Sequence, residues 1–598
     1  MEISHHLMTL SLKEQAEDYL ACETDEEYRK EVEALRDDEE GLKKYFGNRP
    51  VFGTAGIRGQ FGPGYNNLNA AVILQTAQGY CSYTIKTLGL EHMKEHGIVI
   101  GYDARHRSRE FAEITASIFI MKGIKVYLFS RIIPTPYVAF SIRFLQASGG
   151  VMVTASHNPA TYNGYKVYWD NGAQIIEPHD KEIAQSIQLP ENRRPWEGYH
   201  VSLFATSPLC IDPLPRVQEA YNKLIVEKLC FHHEENQQKY DDQLIITYTA
   251  MHGVGTGPTI WAFEAFGLPL PVPVPEQVEG DGNFPTSEFP NPEEGEPVFR
   301  HAIRVANKHN SNLIICQDPD ADRVGLAVRQ ANGEFRILHG NHTGALLTWW
   351  QMQHFKGDHK TGVFSCSTVS TQFQRVMCEA EGFEHSETLT GFKWLGNNAL
   401  NIEANGKHAL LAFEEAIGFN LIPGEIPDKD SISTAAVVGE FAHYIWRHEK
   451  KSLTDKLDEI YSKYGYYLFN NHFFFNHKPE VQKALFERMR TGGPENQYID
   501  HIGEFKIVRI RDMTKNYDSS TPDHKPVLPK QSSEMITFYL ENGCVATIRT
   551  SGTEPKIKWY IEIGAKDLKQ AEHDLEEVVN AIKDDLLQRQ KYNLKETE

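Results

Sequence analysis

Three features of this 598-residue sequence predict an α/β fold followed by a smaller α+β region. Short β-branched apolar runs alternate with helix-period segments as far as Lys463, the pattern of a helix-covered parallel sheet. Glycine-, proline- and charge-bearing loops stand where those runs end, at the strand carboxyl ends that carry function in such sheets. Beyond Gly465 the period changes to alternating strands around an Asn542-Gly543 turn, closed by an amphipathic helix from Leu568 to Leu586. The length exceeds one core and, at about 100–200 residues per domain, allows three to five domains.

An acidic, helical leader precedes Val51 to Gly59, where Gly53, Gly56 and Gly59 let backbone approach something closely. That loop reads either as an anion-facing turn charged by Arg58 or as a tight turn with Arg58 in solvent. Gly97 to Asp103 is a buried strand ending in Asp103-Ala104-Arg105, and a helix follows through Met121. Strand Ile124 to Phe129 and helix Pro134 to Leu145 repeat the unit. The next run, Gly149 to Val153, breaks into Thr154-Ala155-Ser156-His157-Asn158-Pro159 and presents Ser156 at a strand end. Taken alone, a serine there is an ordinary turn residue. Tyr165–Trp169 and Ala173–Ile176 flank Asn171-Gly172, a hairpin signal that would hold Lys166 near the serine, although a solvated strand lysine fits equally well.

Five prolines between Pro190 and Pro215 mark the first domain boundary, and the expected domains are 1–208, 209–333, 334–463 and 464–598. Helix Val217–Cys230 and strand Leu244–Tyr248 lead to Gly253, Gly255 and Gly257. Their alternate spacing is not a dinucleotide fingerprint, so a structural strand-to-helix turn is expected. Strand Asn312–Cys316 ends in Asp318-Pro319-Asp320-Ala321-Asp322-Arg323, before strand Val324–Val328. In extended chain the three carboxylates face one side, and Pro319 prevents a helix that would scatter them. Three such charges would repel one another and take up protons unless a cation sat among them, and an oxygen-only cage suits Mg²⁺. An EF-hand reading fails, because its sixth and twelfth positions are Arg323 and Arg329.

Helix Thr343–Phe355 and strands Gly362–Cys366 and Ala409–Phe413 make a third βα region. Thr390-Gly391-Phe392-Lys393 lies between those strands; Glu414-Glu415-Ala416-Ile417-Gly418 and Asp428-Lys429-Asp430 follow them. Acidic and basic groups together suit sugar hydroxyls and phosphate. One long helical stretch is expected from Thr434 to Lys463. In the last region the hairpin of Glu534–Leu540 and Cys544–Arg549 delivers Arg549-Thr550-Ser551-Gly552-Thr553-Glu554-Pro555-Lys556. Ser551 and Glu554 have capping-box spacing, but Ile557–Ile561 alternates as a strand, so the loop reads as a phosphate cradle.

Thr154 to Pro159, Asp318 to Arg323, Glu414 to Gly418 and Arg549 to Lys556 resemble, in order, the four signature loops of the α-D-phosphohexomutase superfamily. The resemblance implies four domains around a central cleft: three related α/β domains and a smaller C-terminal α+β domain. It also implies that Ser156 carries a phosphoryl group, that Asp318, Asp320 and Asp322 hold Mg²⁺ beside it with Ser156 as a further ligand, and that Arg58 and Lys166 are the catalytic arginine and the acid/base lysine. His157 and Arg323 would complete the catalytic group. Thr390, Gly391, Lys393, Glu414, Ala416 and Lys429 would bind the sugar. Arg549, Ser551, Gly552, Thr553 and Lys556 would bind the non-reacting phosphate. A sugar 1,6-bisphosphate, or a pentose 1,5-bisphosphate, would be the activator.

Hexose-specific members commonly carry E-x-S where this chain has Glu414-Glu415-Ala416, a form that resembles the phosphoglucomutase-2 branch of phosphopentomutases and a glucose-1,6-bisphosphate synthase. The expectation is an Mg²⁺-dependent mutase moving phosphate between the 1- and terminal positions of ribose, deoxyribose or glucose. The alternatives are a glucose-1,6-bisphosphate synthase and a catalytically silent sugar-phosphate-binding regulator.

Composition agrees with a small anionic partner held locally. A formal charge of −20 argues against a general nucleic-acid or anionic-membrane binder. Eight scattered cysteines without a C-x-x-C pair read as reduced thiols, and with no signal-length or membrane-length apolar run the expectation is a cytoplasmic monomer, a dimer being left open. His5-His6 and His232-His233 lack partners at metal-ligand spacing and are expected at the solvated surface.

Overall fold

A computed structural model of the chain describes residues 10–49, 52, 55–531, 533–551 and 555–596. These pack as two compact units, Met1–Ser365 with Gly391–Thr454, and Cys366–Thr390 with Asp455–Glu598.

In the first unit the leader forms helices Leu12–Cys22, Glu26–Ala34 and Glu39–Phe46, each started by a side chain that accepts an otherwise unpaired backbone N–H: Ser11, Asp25 and Asp38. Tyr19, Phe46 and Tyr65 meet edge to face beneath them, anchoring the leader to the first core. The first sheet contains β1 (Gly56–Gln60), β2 (Ile98–Tyr102), β3 (Val126–Leu128), β4 (Gly150–Val153), β5 (Tyr162–Tyr168) and β6 (Cys210–Ile211), in the order β1-β5-β4-β2-β3-β6. The fully buried run Ile98-Val99-Ile100-Gly101-Tyr102 sits near its middle, with helices Ser108–Met121 and Thr135–Phe144 packed on it.

Two expectations need correcting here. The sheet is mixed: β4, β2, β3 and β6 run parallel, while β5 is antiparallel to both β4 and β1. The Asn171-Gly172 turn forms as expected, with Gly172 at φ 81°, and its return arm pairs back through the Tyr168–Gln174 bridge, with Trp169 N–H donating to Ala173 O at 3.0 Å and Ile175 N–H to Val167 O at 3.2 Å. Lys166 lies next to that hairpin's Val167–Ile175 hydrogen bond and opposite Gly56 on β1 and Met152 on β4, so sheet and hairpin together fix it. Arg58 lies on strand β1, not in a turn, and is exposed.

The second sheet contains β7 (Ile246–Thr249), β8 (Val272–Pro273), β9 (Leu313–Gln317), β10 (Val324–Arg329) and β11 (Phe335–Leu338), ordered β11-β10-β9-β7-β8. The glycine loop is the expected strand-to-helix turn, leading from β7 to helix Thr256–Phe266. A Cβ at Gly253 would lie 2.4 Å from the Pro319 backbone, so this glycine lets the aspartate loop pack against the turn. The third region holds, in chain order, β12 (Gly362–Ser367), β13 (Glu384–Thr388), β14 (His408–Glu414) and β15 (Gly418–Asn420); β14 and β15 form a tight antiparallel pair around the Glu414–Gly418 loop. The single long helix expected beyond it is two, Ser431–Glu449 and Leu453–Tyr464. Lys450 adopts left-handed backbone (φ 54°) and ends the first.

The second unit is built on an antiparallel sheet of β16 (Tyr466–Phe475), β17 (His501–Ile502), β18 (Phe505–Asp512), β19 (Tyr517–Asp518), β20 (Met535–Leu540), β21 (Cys544–Thr550) and β22 (Lys556–Ala565). The predicted hairpin pairs Met535–Tyr539 with Val545–Arg549. Helix Leu568–Ala581 covers one face, burying Ala571 and Val578 in a core with Trp559 and Phe538.

Candidate active site

Ser156 follows β4 in left-handed backbone, φ 53°, uncommon for a residue with a Cβ and the kind of local strain held at functional turns. Its N–H donates to Thr154 Oγ1 at 2.8 Å, and the residue is 2% exposed. Its Oγ lies 2.9 Å from Asp318 Oδ2 and 3.1 Å from His157 Nδ1. Burial first, then the charges of Arg323 and Arg58, hold the His157 imidazole well below its usual range, so it is neutral at physiological pH. Arg58 Nη1 donates to Asn158 Oδ1 at 2.7 Å, tying the β1 arginine to the serine loop.

Asp318, Asp320 and Asp322 each offer an oxygen within 4.8 Å of the others, and all three are buried. They converge by a different route from the expected extended chain. The loop turns at Ala321 (φ 54°), and Asp318 Oδ1 accepts the N–H groups of Asp322 and Arg323 at 3.1 and 2.9 Å, so the first aspartate caps the turn that presents the other two. Burial, then the Asp320 and Asp322 charges, push the Asp318 carboxyl well above the usual range. For Asp320 and Asp322 burial again acts upward first, but the Lys166 ammonium, joined by Thr135 at Asp320 and by Lys429 and Arg323 at Asp322, holds both below that range. Lys166 Nζ lies 2.7 Å from Asp320 Oδ2 and 2.8 Å from Asp322 Oδ2. Buried Asp320 Oδ1 and Asp322 Oδ1 accept no hydrogen bond from the described residues. An all-oxygen set in which the Asp318 carboxyl is pushed up by its two neighbours, with two such oxygens, fits Mg²⁺, which would relieve the repulsion.

Thr135, at the start of its helix, donates both its N–H to Asp320 O (2.9 Å) and its Oγ1 to Asp320 Oδ2 (2.7 Å), a contact between the first and second regions that the sequence did not reveal. Arg323 is paired: Nη1 donates to Glu293 Oε2 at 2.9 Å and to Ala416 O at 3.2 Å. With Val324 N–H donating to Ile417 O, it binds the aspartate loop to the Glu414–Gly418 loop. Lys429 Nζ lies 3.3 Å from Asp322 Oδ2 and 3.6 Å from Asp428 Oδ1, and a Cβ on Gly418 would meet its stem at 2.2 Å. Glu414 is 8% exposed; Lys393 reaches Asp180 at 3.9 Å. Ser156, the aspartates, Lys166, Arg58, Arg323, Glu414, Ala416 and Lys429 thus all belong to the first unit.

Thr390 belongs to the second unit, where Arg549 Nη1 donates to its Oγ1 at 2.9 Å. Lys556 Nζ lies over the Phe473 ring at 4.3 Å, and Ser551 N–H donates to Lys556 O. Gly552 and Thr553 fall outside the described residues. One surface expectation fails: His232 is half-buried, with Nε2 2.9 Å from His354 Nε2 and its ring stacked on Tyr444, because the surrounding helices close over it. All eight cysteines are free thiols, and no described helix is long and apolar enough to cross a membrane.

By fold this is a chain of three α/β regions and a C-terminal sheet domain, with a strand-end serine set against a buried oxygen cage. Residues 49–194, 219–333 and 339–464 match the phosphoglucomutase/phosphomannomutase α/β/α domains I, II and III. The chain belongs to the phosphoglucomutase/phosphomannomutase family, whose members are mutases, that is, intramolecular phosphotransferases. It is 44% identical to the phosphopentomutase of Homo sapiens over 93% of this chain and 92% of that one. To the glucose 1,6-bisphosphate synthase of the same species it is 41% identical, over 91% and 89%. The open form of the phosphoglucomutase parafusin from Paramecium superposes with a TM-score of 0.66 at 16% identity, covering 91% of this chain and 96% of that one, a likeness of fold.

Proposed function

We propose that this chain is a phosphopentomutase that interconverts ribose or deoxyribose 1-phosphate and 5-phosphate through a phosphoserine at Ser156, with activity on glucose 1-phosphate as well. The observation that carries the reading is Ser156 Oγ at 2.9 Å from Asp318, at the rim of a carboxylate cage that also touches Lys166. Mg²⁺ held by Asp318, Asp320, Asp322 and Ser156 would neutralise charge on the transferring phosphoryl group.

The phosphoryl group leaves Ser156 Oγ for the free hydroxyl of the sugar monophosphate, giving a bisphosphate and a serine hydroxyl. After the bisphosphate turns over, its other phosphoryl group returns to Ser156. Arg58 and Arg323 supply positive charge to the in-flight phosphoryl oxygens. Lys166, charged and beside Asp320 and Asp322, gives a proton to the serine oxygen as it is released and is recharged by the proton that the attacking sugar hydroxyl loses; the relay runs in reverse as Ser156 is rephosphorylated. Glu414 and Lys429 orient the sugar, while Arg549, Ser551, Gly552, Thr553 and Lys556 grip the non-reacting phosphate. Catalytic sugar bisphosphate serves as activator by phosphorylating Ser156.

The 41% identity to glucose 1,6-bisphosphate synthase supports a second reading, in which an acyl phosphate is the donor to Ser156. Turnover of ribose 1-phosphate, glucose 1-phosphate, and glucose 1-phosphate with 1,3-bisphosphoglycerate separates them. Fast turnover of the first is expected; negligible mutase flux with both sugars alone would sink the leading reading.

A further inference from the structure

The side chain of Arg105, in the loop that follows β2, is fully buried. Nη2 donates to the carbonyl oxygens of Ser156 (2.6 Å) and Asn158 (2.5 Å), and Nη1 to those of Pro159 (2.8 Å) and Tyr162 (3.1 Å). One rigid fork therefore spans both ends of the turn that carries the serine. The fork is itself fixed. Arg105 Nε lies 3.2 Å from Asp103 Oδ2, Asp103 Oδ1 accepts the Arg105 N–H and Ser108 Oγ, and the guanidinium lies 4.8 Å from the Phe284 ring centre. Capture of the Ser156 carbonyl fixes the peptide plane after a residue in left-handed backbone, and so the direction of the Cα–Cβ bond that carries Oγ toward Asp318.

We propose that Arg105 is a positioning residue for phosphoryl transfer, setting the aim of Ser156 Oγ by holding the Ser156–Tyr162 turn through its carbonyls. The inference rests on the reading of Ser156 as phosphoryl carrier. Lysine keeps the charge but gathers its donors on one nitrogen and cannot bridge both ends of the turn.

The test measures kcat and KM for ribose 1-phosphate, phosphoserine content after treatment with ribose 1,5-bisphosphate, and melting temperature, in Arg105→Lys and Arg105→Gly with Ser156→Ala alongside. Misaiming the nucleophile by about 1 Å lowers kcat on the order of 10²-fold with KM nearly unchanged, the split expected for Arg105→Lys. Millimolar guanidinium ion should restore at least part of the lost kcat to Arg105→Gly and none to Arg105→Lys, whose cavity is filled. Wild-type kcat in folded Arg105→Lys, or a raised KM with kcat intact, overturns the inference; so does a folded Arg105→Gly whose kcat guanidinium does not lift. If Arg105→Gly fails to fold, the kcat–KM split of Arg105→Lys decides alone. Full turnover by Ser156→Ala would instead overturn the phosphoserine reading, a separate result.

Discussion

Lys166 Nζ contacts the second and third aspartates, and Asp428 adds to their field. Burial would lower its proton affinity, but Asp320, Asp322 and Asp428 outweigh it and raise it above that of a free lysine. The resting lysine is thus charged, which offsets negative charge in the cage and supplies the proton that the proposed mechanism asks of it. Replacing it by methionine removes both functions: kcat is expected to fall about 10²–10⁴-fold, while the Mg²⁺ concentration for half-maximal activity decreases, since a competing cation is gone. Activity titrated against Mg²⁺ checks this, and an unchanged kcat would exclude the acid/base role. At Ala416 the main-chain carbonyl holds Arg323 while the side chain lacks a hydroxyl. Ala416→Ser should raise the ratio of glucose to ribose kcat/KM about tenfold, a hydrogen bond's worth of selectivity, read from paired assays. Ser156 and the aspartates were legible in sequence because local chain breaks present them. Arg105 was visible only as a loop residue and Thr135 not at all, because their partners lie far along the chain, at Ser156–Tyr162 and Asp320.

Element by element, strands and helices of the α/β regions fall close to where apolar period and caps put them; tertiary pairing supplies the differences. No local signal says that β5 enters the sheet antiparallel between β1 and β4, since a buried strand reads the same in either direction. Lys450 is not a helix breaker by type; its left-handed conformation is imposed by the turn into the next helix. In the second unit, β22 meets the start of helix Phe373–Glu381 through Glu562, which accepts from Thr371 Oγ1 at 2.8 Å and the Gln372 N–H at 3.0 Å. Burial pushes this carboxyl up to about 7. A folded-state pKa above the unfolded one favours folding at acid pH, and that contribution fades as pH rises through about 7. Between pH 5 and pH 8 the second unit should lose about 2–3 kcal/mol from this group, and Glu562→Gln should flatten that slope whatever its effect at one pH. Urea unfolding at the two pH values measures it; an equal slope in both proteins would refute the assignment.

At the scale of the whole molecule, a formal charge of −20 surrounds a site proposed to take doubly charged sugar phosphates, so selectivity for anions has to be made locally. The cage, Lys166, Lys429 and Arg323 lie within one compact unit, so the proposed Mg²⁺ binding would be linked to the stability of that unit. A ligand that binds only the folded state stabilises it by RT ln(1 + [L]/Kd), about 2.7 kcal/mol at a hundredfold excess over Kd. A chain of two units need not unfold in one step, so a global midpoint would blur this effect. Tryptophan placement provides a way to follow it: 169, 196, 261, 349, 350, 394 and 446 belong to the first unit, and only Trp559 to the second. The fluorescence-detected melt should therefore report mainly the first unit. It should move upward with Mg²⁺ over the range that supports turnover, return when EDTA is added, and respond little in Asp320→Asn, which removes one of the three charges that draw the ion. A wild-type melt indifferent to Mg²⁺ at concentrations that saturate activity would mean that the ion acts somewhere other than among Asp318, Asp320 and Asp322.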